Sequence, residues 1–210
     1  MVLKGKKVAF LGDSITEGVG ASSSERRFVS VLEQTEGIHA RNYGICATRI
    51  ARQQNKVEPR DFQDFTSRTD EIEPDADVIV VFGGTNDYGH GDAPFGQAED
   101  ATPDTFCGAC NVLFEKLNAR LPVAVKVALT PLGRNGEDTP PQGKRPLCDY
   151  AAAVKESALR HGWRVLDLYT MCKTEPTVMG VRENLGDGLH PNDRGHALLA
   201  EAVAAFFRQL

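Results

Sequence analysis

The chain has 210 residues, of which 41% are hydrophobic and 25% charged, with a net charge of −5. One domain spanning 1–210, with room for a sizeable core, accounts for that length and composition. The negative balance argues against general affinity for nucleic acid or an anionic membrane surface, and no apolar run reaches the roughly 18 residues that span a bilayer.

The first residues, MVLKGKKVAFLGD, carry lysines but no apolar stretch of leader length, so the expected location is the cytoplasm. Within them KKVAFL (6–11) reads as a buried strand that breaks at Gly12 into GDSIT. ERRFVSVLEQTEG follows with Phe28, Val31 and Leu32 at helical spacing, and Ser22, Ser23 and Ser24 stand where an N-cap would be. ARNYGI (40–45) is the second strand signal. PRDFQDFTSRTDEI then predicts a helix with Phe62, Phe65 and Ile72 on one face. DVIVVFG (77–83) is the most continuous apolar run, the pattern of a strand covered on both faces.

Beyond it, DTFCGACNVLFEKLNAR predicts a helix with Phe106, Cys110, Leu113, Phe114 and Leu117 in one stripe. Cys107 and Cys110 form a C-x-x-C pair inside that stripe, with no second pair and no His at metal spacing, so packing is the better reading. Five cysteines, an odd count in a chain too long to need a disulfide framework, read as reduced thiols. VAVKVALT (123–130) and RVLDLY (164–169) are the last two strand signals. Between them LCDYAAAVKESALRHG is a helix ending near Gly162, and the chain closes with a helix capped by Asn192. Strand alternating with helix implies an α/β fold, a parallel sheet with helices on both faces. Two long loops, 88–104 and 133–146, are rich in Gly, Pro and charge, as functional loops often are.

Each polar cluster follows or overlaps a strand end: GDS the first, NYGICAT the second, GGTND the third and DGLH the fifth. A parallel sheet gathers such clusters at one rim, where ligands bind. Ser14 needs a base to become a nucleophile, and His190 is the natural one. Asp187, three residues earlier, can fix the tautomer of His190 and stabilise its imidazolium. An oxyanion needs preorganised donors, for which the N–H of Ser14, the N–H of Gly44 and the amide of Asn86 are candidates. Asp13 and Asp87 read as turn organisers rather than catalysts. His90 and Arg134 sit on the rim loops as candidate substrate contacts, Arg134 for a carboxylate or a sugar hydroxyl.

GDSIT, NYG, GGTND and DGLHPN, in this order and spacing, resemble the SGNH hydrolases, the GDSL-like lipase/acylhydrolase family. The resemblance runs from Gly12 to His190. It implies a three-layer α/β/α sandwich with a five-stranded parallel, flavodoxin-like sheet, and ester hydrolysis without cofactor or metal. It assigns Ser14 as nucleophile and N–H donor, Gly44 and Asn86 as oxyanion donors, and Asp187 with His190 as the rest of a triad. Two departures stand out: Ile15 replaces the leucine of the family name motif, and Cys46 and Ala47 stand where the pattern often has Ser and Gly. The expected activity is a serine esterase acting on a small-molecule ester, with short acyl groups such as acetyl on carbohydrate favoured by the polar loops. A lysophospholipase or thioesterase is the alternative within the class. Outside it stand a flavodoxin-like module cradling a nucleotide phosphate, which Asp13 disfavours by repulsion, and a non-catalytic glycan binder.

Overall fold

The computed structural model describes residues 3–210. In chain order its elements are β1 Lys7–Gly12, α1 Ser14–Glu17, α2 Phe28–Glu36, β2 His39–Gly44, β3 Val78–Phe82, α3 Thr85–Gly89, α4 Phe106–Arg120, β4 Val125–Leu129, α5 Leu147–Arg160, β5 Arg164–Leu166, α6 Leu168–Met171, α7 Pro176–Glu183 and α8 Asp193–Phe207. The five strands form one parallel sheet in the order β2-β1-β3-β4-β5. The order reverses between β1 and β3, which opens a crevice at their carboxyl ends.

Alternation along the central strands sorts the core into two layers. Val8, Phe10, Val78, Val80 and Phe82 face Phe28 and Leu32 of α2 and Leu199 and Val203 of α8. Ala9, Leu11, Ile79 and Val81 face Leu113, Phe114 and Leu117 of α4 and Tyr150 and Val154 of α5. Phe28 is fully buried and meets Phe10 edge-on, with ring centroids 5.8 Å apart. Burying such a side chain contributes about 1.5–3 kcal/mol. Strand β2 lies at the sheet edge and is only half-buried, in contrast to β1 and β3.

Helix starts follow local chemistry. Thr105 caps α4 by accepting from the Gly108 N–H, and Asn192 caps α8 by accepting from the Gly195 N–H. Gly162, with φ 80°, lies one residue past the cap of α5. Cys107 and Cys110 are buried on α4, and all five cysteines are free thiols. Among the described residues no helix is long and apolar enough to cross a membrane.

Three expectations are corrected, and one helix stands where none was expected. The serines before α2 do not cap it: Arg27 occupies the cap position without a side-chain bond, and Ser22 instead bonds Asp193 through both its N–H and its hydroxyl. PRDFQDFTSRTDEI forms two short 3₁₀ turns, Pro59–Phe62 and Thr69–Glu71, rather than a helix. Asp61 accepts the N–H groups of Val57 and Glu58, and Asp64 accepts those of Ser67 and the Thr66 hydroxyl, so local side-chain bonds replace the helical ladder. The strand expected over 164–169 stops at Leu166, because Asp167 caps α6 by accepting from the Thr170 N–H. Finally, α7 carried no apolar stripe clear enough to predict, although Pro176 at its first turn and the Glu175 cap mark its start.

Candidate active site

Ser14 opens α1 directly after β1, with Asp13 as its cap: the Asp13 carboxylate accepts the Ile15 N–H at 3.0 Å. The hydroxyl therefore stands at the carboxyl edge of the sheet, beside the crevice. His190 arrives from the loop before α8. That loop is folded back on itself by the Gly186 N–H to His190 carbonyl bond (2.8 Å) and the Asn192 N–H to Asn184 carbonyl bond (2.8 Å). His190 Nε2 lies 2.9 Å from Ser14 Oγ, and its Nδ1 lies 2.6 Å from Asp187 Oδ2. The other Asp187 oxygen accepts the N–H groups of Leu189 and His190 at 2.9 and 2.7 Å. Burial acts to raise the Asp187 carboxyl, but the His190 N–H, the His190 ring and the Leu189 N–H outweigh it and hold the group well below the usual carboxylate range.

Asn86 lies in the first turn of α3, across the crevice. Its Nδ2 donates to the Thr48 carbonyl at 3.0 Å, and its Oδ1 lies 3.1 Å from His90 Nε2. Asp87 reaches the opposite way and accepts the N–H groups of Ile50 and Ala51 at 3.0 and 2.9 Å, which ties the loop after β2 to α3. Burial pushes its carboxyl up to about 6, against those two N–H bonds. Asp13 is likewise buried, and its carboxyl is pushed up to about 7 by desolvation, with the Ile15 N–H opposing and Asp87 adding to the rise. Both acidic side chains organise backbone, as expected for turn residues.

Arg68 is the largest fully buried side chain, and no sequence motif singles it out. Its guanidinium donates to the Tyr43 carbonyl (2.7 Å), the Gly12 carbonyl (3.1 Å) and the Thr48 hydroxyl (3.1 Å), and its Nε donates to the Gln63 carbonyl (3.0 Å). One side chain thus clamps the ends of β1 and β2 and the loop that carries Thr48. Burial lowers its pKa to about 10, with Glu71 and Asp13 opposing, so it stays charged at neutral pH. No periodicity marks such a residue: it lies in a segment whose pattern suggested a helix.

Comparison with known proteins places this arrangement. The family model of the GDSL-like lipase/acylhydrolase family matches residues 10–198. The chain belongs to that family. Among solved structures, a protein of Lactobacillus plantarum is 27% identical with a TM-score of 0.83, over 99% of this chain and 98% of that one. A possible lipase from Chitinophaga pinensis (21% identical, TM-score 0.73, covering 97% and 98%) and the lipase/acylhydrolase from Enterococcus faecalis (19%, 0.70, 97% and 96%) share the fold. A search of curated proteins finds no match.

Within this GDSL-like hydrolase, Gly44 does not stand where the sequence placed it. Its N–H donates to Asn42 Oδ1 at 2.8 Å, so it is not available to a substrate oxyanion. The missing Cβ serves packing instead: one built there would come within 2.1 Å of the Glu17 N of α1. The nearby irregular residue is Ala47, which adopts a left-handed backbone with φ 62°. The loop around it is held between the two sides of the crevice. The Ile45 N–H donates to the Gly12 carbonyl at 3.1 Å, the Thr48 N–H to the Ile45 carbonyl at 3.3 Å, and Asn86 to the Thr48 carbonyl. Among the described residues the Ala47 N–H has no acceptor. The signal that could have found it was the departure from the family pattern, alanine where glycine is common.

Arg134 is partly buried against α3: it donates to the Thr85 hydroxyl at 3.2 Å and covers the Tyr88 ring at 5.7 Å. Its neighbour Asn135 is exposed at the rim, its N–H bonded to the Gly188 carbonyl at 2.9 Å, two residues before His190. Cys46 is half-buried in the loop after β2, where burial and then Glu17 push its thiol up. Two cavities, of about 260 and 410 Å³, lie elsewhere, one between Phe95 and α5 and one beside β5 and α8. Among the described residues no three His, Cys, Asp or Glu side chains gather as a metal site would require.

Proposed function

We propose that the chain is a serine esterase that cleaves carboxylic esters through an acyl-enzyme on Ser14. One observation carries the reading: the unbroken chain Asp187–His190–Ser14, with 2.6 and 2.9 Å links, opens opposite the Asn86 amide. His190 Nε2 takes the Ser14 proton as Oγ attacks the ester carbonyl. It then returns that proton to the leaving alcohol. Water then attacks the acyl carbon as His190 takes its proton; the acyl–Oγ bond breaks, His190 returns the proton to Ser14 Oγ and the carboxylic acid leaves. Asp187 keeps the proton on Nδ1 of His190 and stabilises the imidazolium. The developing oxyanion is met by the Ser14 N–H, the second N–H of Asn86 and the N–H of Ala47, which takes the place first given to Gly44. The engagement of Ser14 Oγ by a histidine supports a nucleophile over a hydroxyl cradling a phosphate.

For the substrate we propose short acyl esters, with acetylated carbohydrate as the class to test first. The polar rim of Arg134 and Asn135 beside the His190 loop supports a hydroxyl-bearing alcohol over a long apolar chain. The test is hydrolysis of p-nitrophenyl acetate, longer p-nitrophenyl esters and acetylated sugars by wild type and Ser14→Ala. A fast wild type with a folded, inactive variant is the expected result. A preference for long chains over acetate would replace this reading with a lysophospholipase or thioesterase, and equal, slow rates for both proteins would overturn the esterase.

A further inference from the structure

His90 stands just past α3, and its backbone N–H closes on the Asn86 carbonyl at 3.0 Å. Its ring folds back over the same turn, so that Nε2 reaches Asn86 Oδ1 at 3.1 Å. The far end of the Asn86 amide is held by the Thr48 carbonyl. A carboxamide held at both ends cannot turn over, because the reversed amide would set its oxygen against the Thr48 carbonyl oxygen. Only a His90 ring with its proton on Nε2 offers Asn86 Oδ1 a donor. With one Nδ2 proton directed to Thr48 and Oδ1 directed to His90, the second Nδ2 proton is left for the crevice.

We propose that His90 is a positioning residue for the oxyanion site: its Nε2–H locks the Asn86 amide in the orientation that presents the free N–H to the reacting carbonyl. The proposal rests on the reading of Asn86 as an oxyanion donor given above. It differs from a role in substrate contact, because His90 acts through Asn86 and touches no reacting atom.

The surroundings favour a neutral ring, whose single proton must then sit on Nε2 to serve Asn86. Burial, followed by the charges of Arg49, Arg134 and Lys144, holds the His90 imidazole below its ordinary value, with Asp61 opposing. Each of those cations is tied to its own partner: Arg49 to Asp61 at 2.8 Å, Arg134 to the Thr85 hydroxyl and Lys144 to the Asp87 carbonyl at 3.0 Å. The positive surroundings are therefore fixed parts of the fold.

The test compares His90→Leu with His90→Gln, whose carboxamide can donate to Asn86 Oδ1. His90→Leu is expected to lower kcat about 10- to 100-fold, with KM changed by no more than about twofold, and His90→Gln to recover most of the loss. In an Asn86→Ala background His90→Leu should cost nothing further. A change in KM alone, or a full additional loss in the Asn86→Ala background, overturns the proposal in favour of a substrate contact. Nitrogen-15 NMR of the histidine rings at pH 8, with His90 assigned by its disappearance in His90→Gln, supplies a readout independent of turnover. The expected state has the proton on Nε2 and a bare Nδ1, and the opposite tautomer sinks the idea. Should wild type hydrolyse no ester, the esterase reading falls while the NMR result still decides whether His90 holds Asn86.

Discussion

The two sides of Ser14 are built on opposite principles. On one side, the Asp187 side chain is 59% exposed and its contacts to His190 are local, within one short loop. On the other, Asp13, Asp87 and Arg68 are each no more than 3% exposed, and Asp87 and Arg68 link segments far apart in the chain. The exposed side holds groups that would move protons. The buried side fixes the backbone from which the hydroxyl and the proposed oxyanion donors project. Activity and stability should therefore separate when each side is broken in turn.

The largest effect belongs to the exposed side. Ser14→Ala or His190→Ala should lower ester hydrolysis by about 10⁴-fold or more, and Asp187→Asn by roughly 10⁴-fold, because the histidine loses its preferred tautomer. Denaturant unfolding should place Asp187→Asn within about 1 kcal/mol of wild type, since the Asp187 side chain is largely exposed and its bonds are local. A large loss of stability in that variant would erase the distinction between the two sides.

Arg68→Leu probes the buried side. It strips donors from the carbonyls of Gly12, Tyr43 and Gln63 and from the Thr48 hydroxyl. The Gly12 carbonyl keeps the Ile45 N–H and the Thr48 hydroxyl keeps the Ile45 carbonyl, but each group left unpaired in the interior costs about 1–3 kcal/mol, so a loss of about 2–4 kcal/mol is expected in urea unfolding. A variant as stable as wild type would mean that the clamp is not what joins β1 to β2.

This division also explains what could be read from the sequence. The exposed side was legible because its chemistry is carried by residue type and spacing: Asp187 and His190 are three apart, and Ser14 ends an apolar run. The three central strands β1, β3 and β4 were legible because near-continuous apolar runs suit strands covered on both faces. The buried floor was not. Arg68 acts through three carbonyls and a hydroxyl, most of them from distant segments, and nothing in its own neighbourhood announces those. The helix expected around it failed because Asp61 and Asp64 bind local donors more favourably than a helical ladder would. Gly44 was misplaced for a related reason. Its glycine character marks a close approach to α1, and sequence alone does not separate that from an approach to substrate.

Asp13 gives a pH handle on the buried side. Its carboxyl is pushed from 3.8 to about 7, chiefly by burial, so the folded protein holds this proton more tightly than the unfolded chain does. The stability it contributes is full below about pH 4 and is lost as pH rises through about 7. Asp13→Asn keeps an oxygen for the Ile15 N–H but has no proton to lose. The difference in unfolding free energy between the variant and wild type should grow in the variant's favour between about pH 4 and 7, by up to about 4 kcal/mol. A difference that is flat across that range would show that folding does not raise the Asp13 pKa and that its carboxylate is ionised in the folded protein as in the unfolded chain.

The smallest effect tests where the two sides meet. Ala47 holds φ 62°, at a cost of roughly 1 kcal/mol relative to glycine in the folded state. Ala47→Gly removes that cost but adds about 0.4–1 kcal/mol of unfolded-chain entropy, so stability should change by less than about 0.5 kcal/mol. Turnover should survive as well, because the proposed donor is the backbone N–H and glycine keeps it. Ala47→Val is the sharper probe. A β-branched side chain resists the left-handed region, so the loop must shift to accommodate it, moving the N–H away from the oxyanion. We expect kcat to fall by about 10-fold or more while KM holds, with only about 1–2 kcal/mol lost from folding. Unchanged turnover in Ala47→Val, in a variant whose unfolding confirms the strain, would remove Ala47 from the oxyanion site and leave Ser14 and Asn86 to serve it alone.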